Sequence, residues 1–297
     1  ANTTGDLNVA VGAYALDANT TGIRNVALGY DSLGGNTTGD RNTSVGTYAL
    51  KTNSTTSYLT AVGYGALYGN TTGSNNTGLG YAAVFTNTTG SNNTGVGYNS
   101  LDHNTTGDAN TAVGAESLDA NTTASYNTAI GRSALKANTT GTQNTSVGSN
   151  SMDATTDGNY NCAMGVNALG ANTSGDYNIA IGVQALLANT TANDNVAVGY
   201  NAMASNTTGY SNVAVGSYAL DSVTTATSCT AVGHAALTNN TGGTNTAVGW
   251  QCLYSNTGGV HNVAVGANAL FACTTTSQNV AIGNYALDAS TGGDNNV

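Results

Sequence analysis

The stretch Asn195-Val196-Ala197-Val198-Gly199 decides the fold, because it returns along almost the whole chain at a spacing of seventeen residues. A fixed period of this length is the signature of a repeat architecture. Working outward, the first copy runs from Ala1 to Asp17 (ANTTGDLNVAVGAYALD) and the second from Ala18 to Gly34 (ANTTGIRNVALGYDSLG), and the register holds for fourteen copies to Thr238. The copy Asn239 to Tyr254 has sixteen residues, one being lost in the turn before Asn245. Two full copies follow to Asp288, and a partial one covers 289–297. The 297 residues therefore read as one continuous array over 1–297, seventeen complete coils plus a partial one. Neither end carries the polar capping repeat that terminates solenoids. There is no leader, and no apolar run near the ~20 residues that span a bilayer. The expectation is an excerpt of a longer fibrous protein.

With each copy numbered from 1 to 17, position 12 is Gly in every complete copy, including Gly12, Gly29, Gly131, Gly199 and Gly283. An unvarying Gly marks a corner that needs positive φ or the close approach of a neighbour. Position 11 is always apolar (Val11, Leu28, Ile130, Val198), position 9 is mostly Val or Thr, and position 10 is Ala, Ser or Gly. This alternation predicts a short strand. The larger residues at 9 and 11 are expected on its core face, and the small one on a tight outer face. A second apolar pair at 15 and 16 (Ala15-Leu16, Ala202-Met203) predicts a second strand as the other wall, with the Asn-Thr-Thr-Gly block as the turn between them. Helix is disfavoured, since each interior Gly costs ~1 kcal/mol.

The fold class expected is all-β: a parallel β-solenoid, or β-roll, of stacked seventeen-residue coils with two short strands per coil. Each coil adds about 4.8 Å of rise. Every column then becomes a ladder, and Asn at position 8 (Asn8, Asn25, Asn195, Asn212, Asn279), interrupted by Leu59 and Cys229, suggests side-chain amides bonded to one another up the stack. Each coil has only about three medium apolar side chains for its core, which is thin against the backbone entropy of seventeen residues. The small column Ala10, Ala27, Gly78, Gly95, Ala129 and Ala197 is expected to let a second chain approach, giving a homo-oligomer.

The pattern Asn-x-Ala-Val/Ile-Gly-x-x-Ala/Ser, as in Asn127-Thr128-Ala129-Ile130-Gly131-Arg132-Ser133-Ala134 and Asn178-Ile179-Ala180-Ile181-Gly182, resembles the head repeat of YadA-like trimeric autotransporter adhesins. It is also similar to tail-fibre β-rolls of phages and viruses that carry NTTG-type turns. The resemblance implies a left-handed roll, three chains wound into one rod, and a role in contacting cell surfaces or matrix. The coil departs from that family in being longer, through the NTTG insertion.

Charged residues are only 7% of the chain, Pro is absent, and the net charge is −10 with five basic residues, which argues against nucleic acid and anionic membrane as partners. The four cysteines fall in different columns and predict no disulfide within the chain. Cys273, in the turn, is the one expected to be exposed for an interchain bond. His103, His234 and His261 are scattered, with no carboxylate or thiol at ligand spacing, so no metal site, cofactor or catalytic residue is expected. Tyr30, Tyr64, Tyr81, Tyr98, Tyr200 and Trp250 recur at position 13, either packing over the corner Gly or forming an aromatic stripe. Twelve of the first thirteen copies hold an N-x-S/T sequon at position 2, among them Asn2, Asn19, Asn36, Asn53, Asn70, Asn104 and Asn189. In a eukaryotic secretory pathway these are candidate glycan acceptors on an exposed turn.

The function expected is a structural rod of an extracellular fibre, an adhesin head or shaft or a tail fibre at the cell or virion surface. Its partners are its own copies, the continuing fibre, and a cell surface, matrix or glycan. The alternative is an ice- or carbohydrate-binding β-solenoid using the Thr and Tyr ladders.

Overall fold

The computed structural model of the chain describes residues 2–297, and among them there is no helix. It divides into two compact units, Ala1–Ser149 and Asn150–Val297. The first holds nine three-residue strands, from β1 (Val9–Val11) to β9 (Thr145–Val147), and the second eight, from β10 (Cys162–Met164) to β17 (Val280–Ile282). Within each unit successive strands pair in parallel and in the register of the repeat: Ala10 opposite Ala27 in the first, Ala197 opposite Ala214 in the second. The sixteen-residue copy leaves the pairing undisturbed, since Thr230 faces Thr246 and the deletion is absorbed in the turn. The chain is thus a parallel β-solenoid.

Each coil has one strand. The wall at positions 13 to 17, expected as a second strand, is a chain of turns in which positions 14 and 16 adopt left-handed backbone, as at Asn201 (φ 51°) and Met203 (φ 54°). Position 7 does the same, as at Arg24 (φ 58°). Left-handed backbone costs an L-residue about 1–2 kcal/mol. It persists because it aims successive N–H groups at opposite neighbours. Asp31 N–H donates to Ala13 O of the preceding coil at 2.9 Å, and Leu33 N–H to Ala49 O of the following coil at 2.9 Å. The second wall is therefore bonded along the stack as tightly as a strand, without being extended.

The faces of the strand are the reverse of the expectation. Position 10 is the inward one: Ala27, Ala61, Ala129 and Ala197 are fully buried, whereas Val9, Val11, Ile130 and Ile181 are exposed. The reason is the width of the coil. The interior is already filled by the position-16 column, Leu33, Leu50, Leu67 and Leu101 in one unit and Leu169, Leu186, Met203 and Leu220 in the other, all fully buried. Where position 10 is Gly95, an added Cβ would stand 2.5 Å from Val84 Cγ2. Position 10 is small to admit the leucine column of its own chain, and Ala197 is no evidence for a second chain.

Candidate functional site

The interior combines hydrocarbon with buried side-chain amides. Asn25, Asn195, Asn212 and Asn279 at position 8 are fully buried. Their amides wire one coil to the backbone of the next more than to one another. The Asn8 side chain accepts from Asn25 N–H at 2.8 Å and donates to Gly22 O at 2.8 Å. Asn195 accepts likewise from Asn212 N–H at 3.0 Å and donates to Gly209 O at 2.9 Å. Each amide thus clamps both ends of the turn in the following coil. Asn279 adds a direct amide contact, donating to Asn262 Oδ1 at 3.1 Å.

Amide-to-amide bonds occur at position 8 in some coils, as in Asn110 to Asn93 Oδ1 at 3.2 Å and Asn178 to Asn161 Oδ1 at 3.3 Å, and they are more frequent at position 2, in the sequon asparagines. Asn19 donates to Asn2 Oδ1 at 3.0 Å, Asn36 to Asn19 at 3.0 Å, Asn53 to Asn36 at 3.0 Å, and Asn189 to Asn172 at 3.0 Å. The same Nδ2 also reaches the carbonyl at position 5 of its own coil: Asn19 to Gly22 O at 3.1 Å and Asn104 to Gly107 O at 3.0 Å; Asn70 makes this bond to Gly73 O at 2.9 Å but none to Asn53, whose Oδ1 has no donor. Asn19, Asn36, Asn53, Asn70, Asn104 and Asn189 are fully buried, and of the seven only Asn2 is exposed. An N-linked glycan would displace one of those hydrogens and has no exit from the folded coil. The acceptor reading rested on the turn being exposed. Thr at position 4 is exposed, as at Thr21 and Thr38, but the Asn points inward. Thr at position 3 makes the expected structural bond, as in Thr20 Oγ1 to Thr37 O at 3.0 Å.

At the corner, Gly12, Gly29, Gly131, Gly199 and Gly283 have φ between 127° and 140°. A Cβ on Gly199 would fall 2.6 Å from the carbonyl of Gly216 in the next coil. At Gly283 the nearest atom would be Ala286 Cβ at 3.9 Å, so only the backbone conformation demands glycine there.

Outside, the columns form three bands. Positions 9 and 11 make a band of Val, Ile and Thr, with Thr43, Thr60, Thr77, Thr94, Thr111, Thr128 and Thr145 in consecutive coils of the first unit. Three of the position-13 rings stack on each other, Tyr64 on Tyr81 at 5.3 Å and Tyr81 on Tyr98 at 5.4 Å, whereas Tyr30 and Tyr200 meet the position-14 rings Tyr48 and Tyr218 edge-on. Position 17 carries a second aromatic row, Tyr68 on Phe85 at 4.9 Å and Tyr254 on Phe271 at 5.4 Å. Stacking at one coil spacing gives such rings a favourable offset geometry. This second row was legible in the sequence as Tyr-Phe in successive copies, but is masked there by the variety of position 17.

The four thiols are free. Cys273 is fully buried, its Sγ 2.8 Å from Thr276 Oγ1, because position 2 points inward; the expected exposed turn cysteine is an interior one. Burial pushes the Cys252 thiol up to about 11. The reading that no carboxylate lies near a histidine is also corrected. His103 Nδ1 stands 3.3 Å from Asp119 Oδ1 and 4.0 Å from Asp102 Oδ2, groups that stacking brings together from adjacent coils. Burial raises the Asp102 carboxyl above the ordinary range, His103 opposing and Asp119 reinforcing the shift. Among the described residues this is one group of three that could hold a cation, half-exposed and acidic like many that hold none.

Among the described residues no helix is long and apolar enough to cross a membrane. Compared with known families and curated proteins, the chain matches no family model and no curated sequence.

Proposed function

We propose that the chain is a structural segment of an extracellular fibre, an adhesin head or shaft or a tail fibre, which extends, resists unfolding and presents a repeated surface. The observation that carries this reading is the amide interior. Most coils hand their neighbour the same buried hydrogen bonds, from position 2 and from position 8, which supports a stack that propagates by repetition. The work of such a chain is mechanical and presentational, and no catalytic role is proposed for it.

The exposed apolar band at positions 9 and 11, including Val9, Leu79, Ile181 and Val215, supports self-association. We take the assembly to be a left-handed homotrimer on the resemblance to YadA-like heads, placed outside the cell or on a virion. The acidic balance, fifteen carboxylates against five basic residues, supports a partner that is neither nucleic acid nor anionic membrane. Sedimentation equilibrium of the whole chain, with electron micrographs of native material, tests the reading. A trimeric mass and fibres with a regular axial repeat are expected, and a monodisperse monomer that forms no fibre refutes it.

One observation favours a second reading as an ice-binding solenoid: the seven consecutive outward threonines from Thr43 to Thr145, held at coil spacing on a strand face. A thermal hysteresis assay decides it.

A further inference from the structure

We propose that each unit carries a binding groove for a linear, neutral oligosaccharide, formed between the aromatic rows at positions 13 and 17. In the first unit Tyr64, Tyr81 and Tyr98, stacked at 5.3 Å and 5.4 Å with ring planes within 16° of parallel, make one wall. Phe85, stacked on Tyr68 at 4.9 Å and 12°, makes the other, and Asp102 follows one coil later, with Asn99 also in the lining. The groove encloses about 410 Å³. The second unit has a groove in the same columns, with the single position-13 ring Trp250 in place of the stacked tyrosines. Trp250, Phe271, stacked on Tyr254 at 5.4 Å and 8°, and Asp288 one coil beyond Phe271 line it together with Gln251 and Asn268, around about 240 Å³. The position-17 order Tyr-Phe-Asp in three successive coils occurs at Tyr68, Phe85 and Asp102 and again at Tyr254, Phe271 and Asp288, and nowhere else in the chain. Two sequence-distant sites thus pair the same residue order with the same kind of groove.

The lining selects the ligand. Aromatic walls with a few convergent polar groups suit a ligand with apolar C–H faces and hydroxyl edges. The polar side chains of the lining, Asn99 and Asp102 in the first groove and Gln251, Asn268 and Asp288 in the second, supply amide and carboxylate partners for such hydroxyls. The lining has no lysine or arginine and includes a carboxylate, so it repels anionic sugars. The grooves run along the stack over about three coils, roughly 10–14 Å at the strand spacing. Tyr64, Tyr81 and Tyr98 occupy three successive coils along that length, a run that the successive rings of a sugar chain can cover and a single ammonium group does not. The inference does not rest on the fibre reading.

The test is calorimetry on the whole chain with cellohexaose, maltohexaose and mannohexaose as neutral probes, an oligogalacturonate as the anionic control and tetramethylammonium as the cationic one. The variant Tyr81→Ala/Phe85→Ala/Trp250→Ala/Phe271→Ala alters both grooves. Alanine already stands in these columns at Ala13, Ala115 and Ala204, so the coil tolerates it, and thermal melting verifies folding. Binding of at least one neutral probe, weakened about tenfold or more in the variant, is expected. The proposal is overturned if no neutral probe binds, if the folded variant binds as well as the parent, or if tetramethylammonium or the oligogalacturonate binds in preference.

Discussion

Asn189 stands between two copies of itself. Its amide donates to Asn172 Oδ1 at 3.0 Å, and its own Oδ1 accepts from Asn206 at 3.1 Å. After Asn206 the column is broken, because position 2 of the next coil is the buried Val223 and Asn206 Oδ1 has no donor; it resumes at Asn240, which accepts from Asn256 at 2.6 Å. The interruption shows what each rung contributes, since the same site can be broken or completed by one substitution.

Asn189→Ala removes one of two donors from Asn172 Oδ1 and from Ala192 O, which keep Gly175 N–H and the Asn178 amide, and leaves an Asn206 amide hydrogen without its acceptor. With three buried hydrogen bonds lost at about 1 kcal/mol each, the variant is expected to lose about 3 kcal/mol. Val223→Asn supplies the missing donor to Asn206 and is expected to gain about 1 kcal/mol. Guanidinium midpoints of the two variants against the parent check both signs, and a neutral Asn189→Ala rules out a stabilising ladder.

The corner glycines separate steric from backbone cost. Gly199→Val forces a Cβ against the Gly216 carbonyl and a β-branched residue into φ 140°. It is expected to open the stack locally and expose it to protease. Gly283→Ala has room for its Cβ and suffers only the φ penalty, on the order of 1–3 kcal/mol. Limited proteolysis should cut the first variant near the substitution and leave the second close to the parent pattern.

The inversion of the strand faces is checked by two neighbours. Ala197→Val overfills a fully buried position and is expected to cost about 1–3 kcal/mol. Val196→Thr, on the outer face where other coils carry threonine, should change stability by less than about 0.5 kcal/mol. Thermal melts giving the opposite ranking would restore the valines to the core.

Asp102 makes part of the stability pH-dependent. Burial raises its carboxyl in the folded state, so the native chain holds this proton more tightly than the unfolded one. Stability associated with Asp102 is therefore complete below the unfolded value, about 3.9, and is lost as pH rises through the raised folded value. Asp102→Asn should be more stable than the parent at neutral pH, with the two curves converging below about pH 4. Melting temperatures across that range test the sign.

Thiol chemistry reads the orientation of the columns. Cys162 lies on the outward side of its strand at position 9, whereas Cys229, Cys252 and Cys273 are buried. A colorimetric thiol reagent should titrate Cys162 in the native protein and the other three only on unfolding. Fast native reaction at Cys273 would contradict the inward turn.

The sequence alone determined the solenoid: an unvarying glycine every seventeen residues, as at Gly182 and Gly199, together with a three-residue alternation before it, is compatible with little else than parallel stacking of coils. It also located the deletion, which falls in the turn because only there can a residue be lost without breaking the register of Thr230 on Thr246. Which way each column points was decided only in three dimensions. A strand of period two presents both faces to the reader equally, and whether Val196 or Ala197 is inside depends on how much room the leucines of another part of the coil leave. The same holds for Asn189, whose sequon is identical whether its amide faces solvent or the interior. The left-handed residues at positions 14 and 16 likewise have no mark in the sequence, because their strain is offset by hydrogen bonds to coils seventeen residues away.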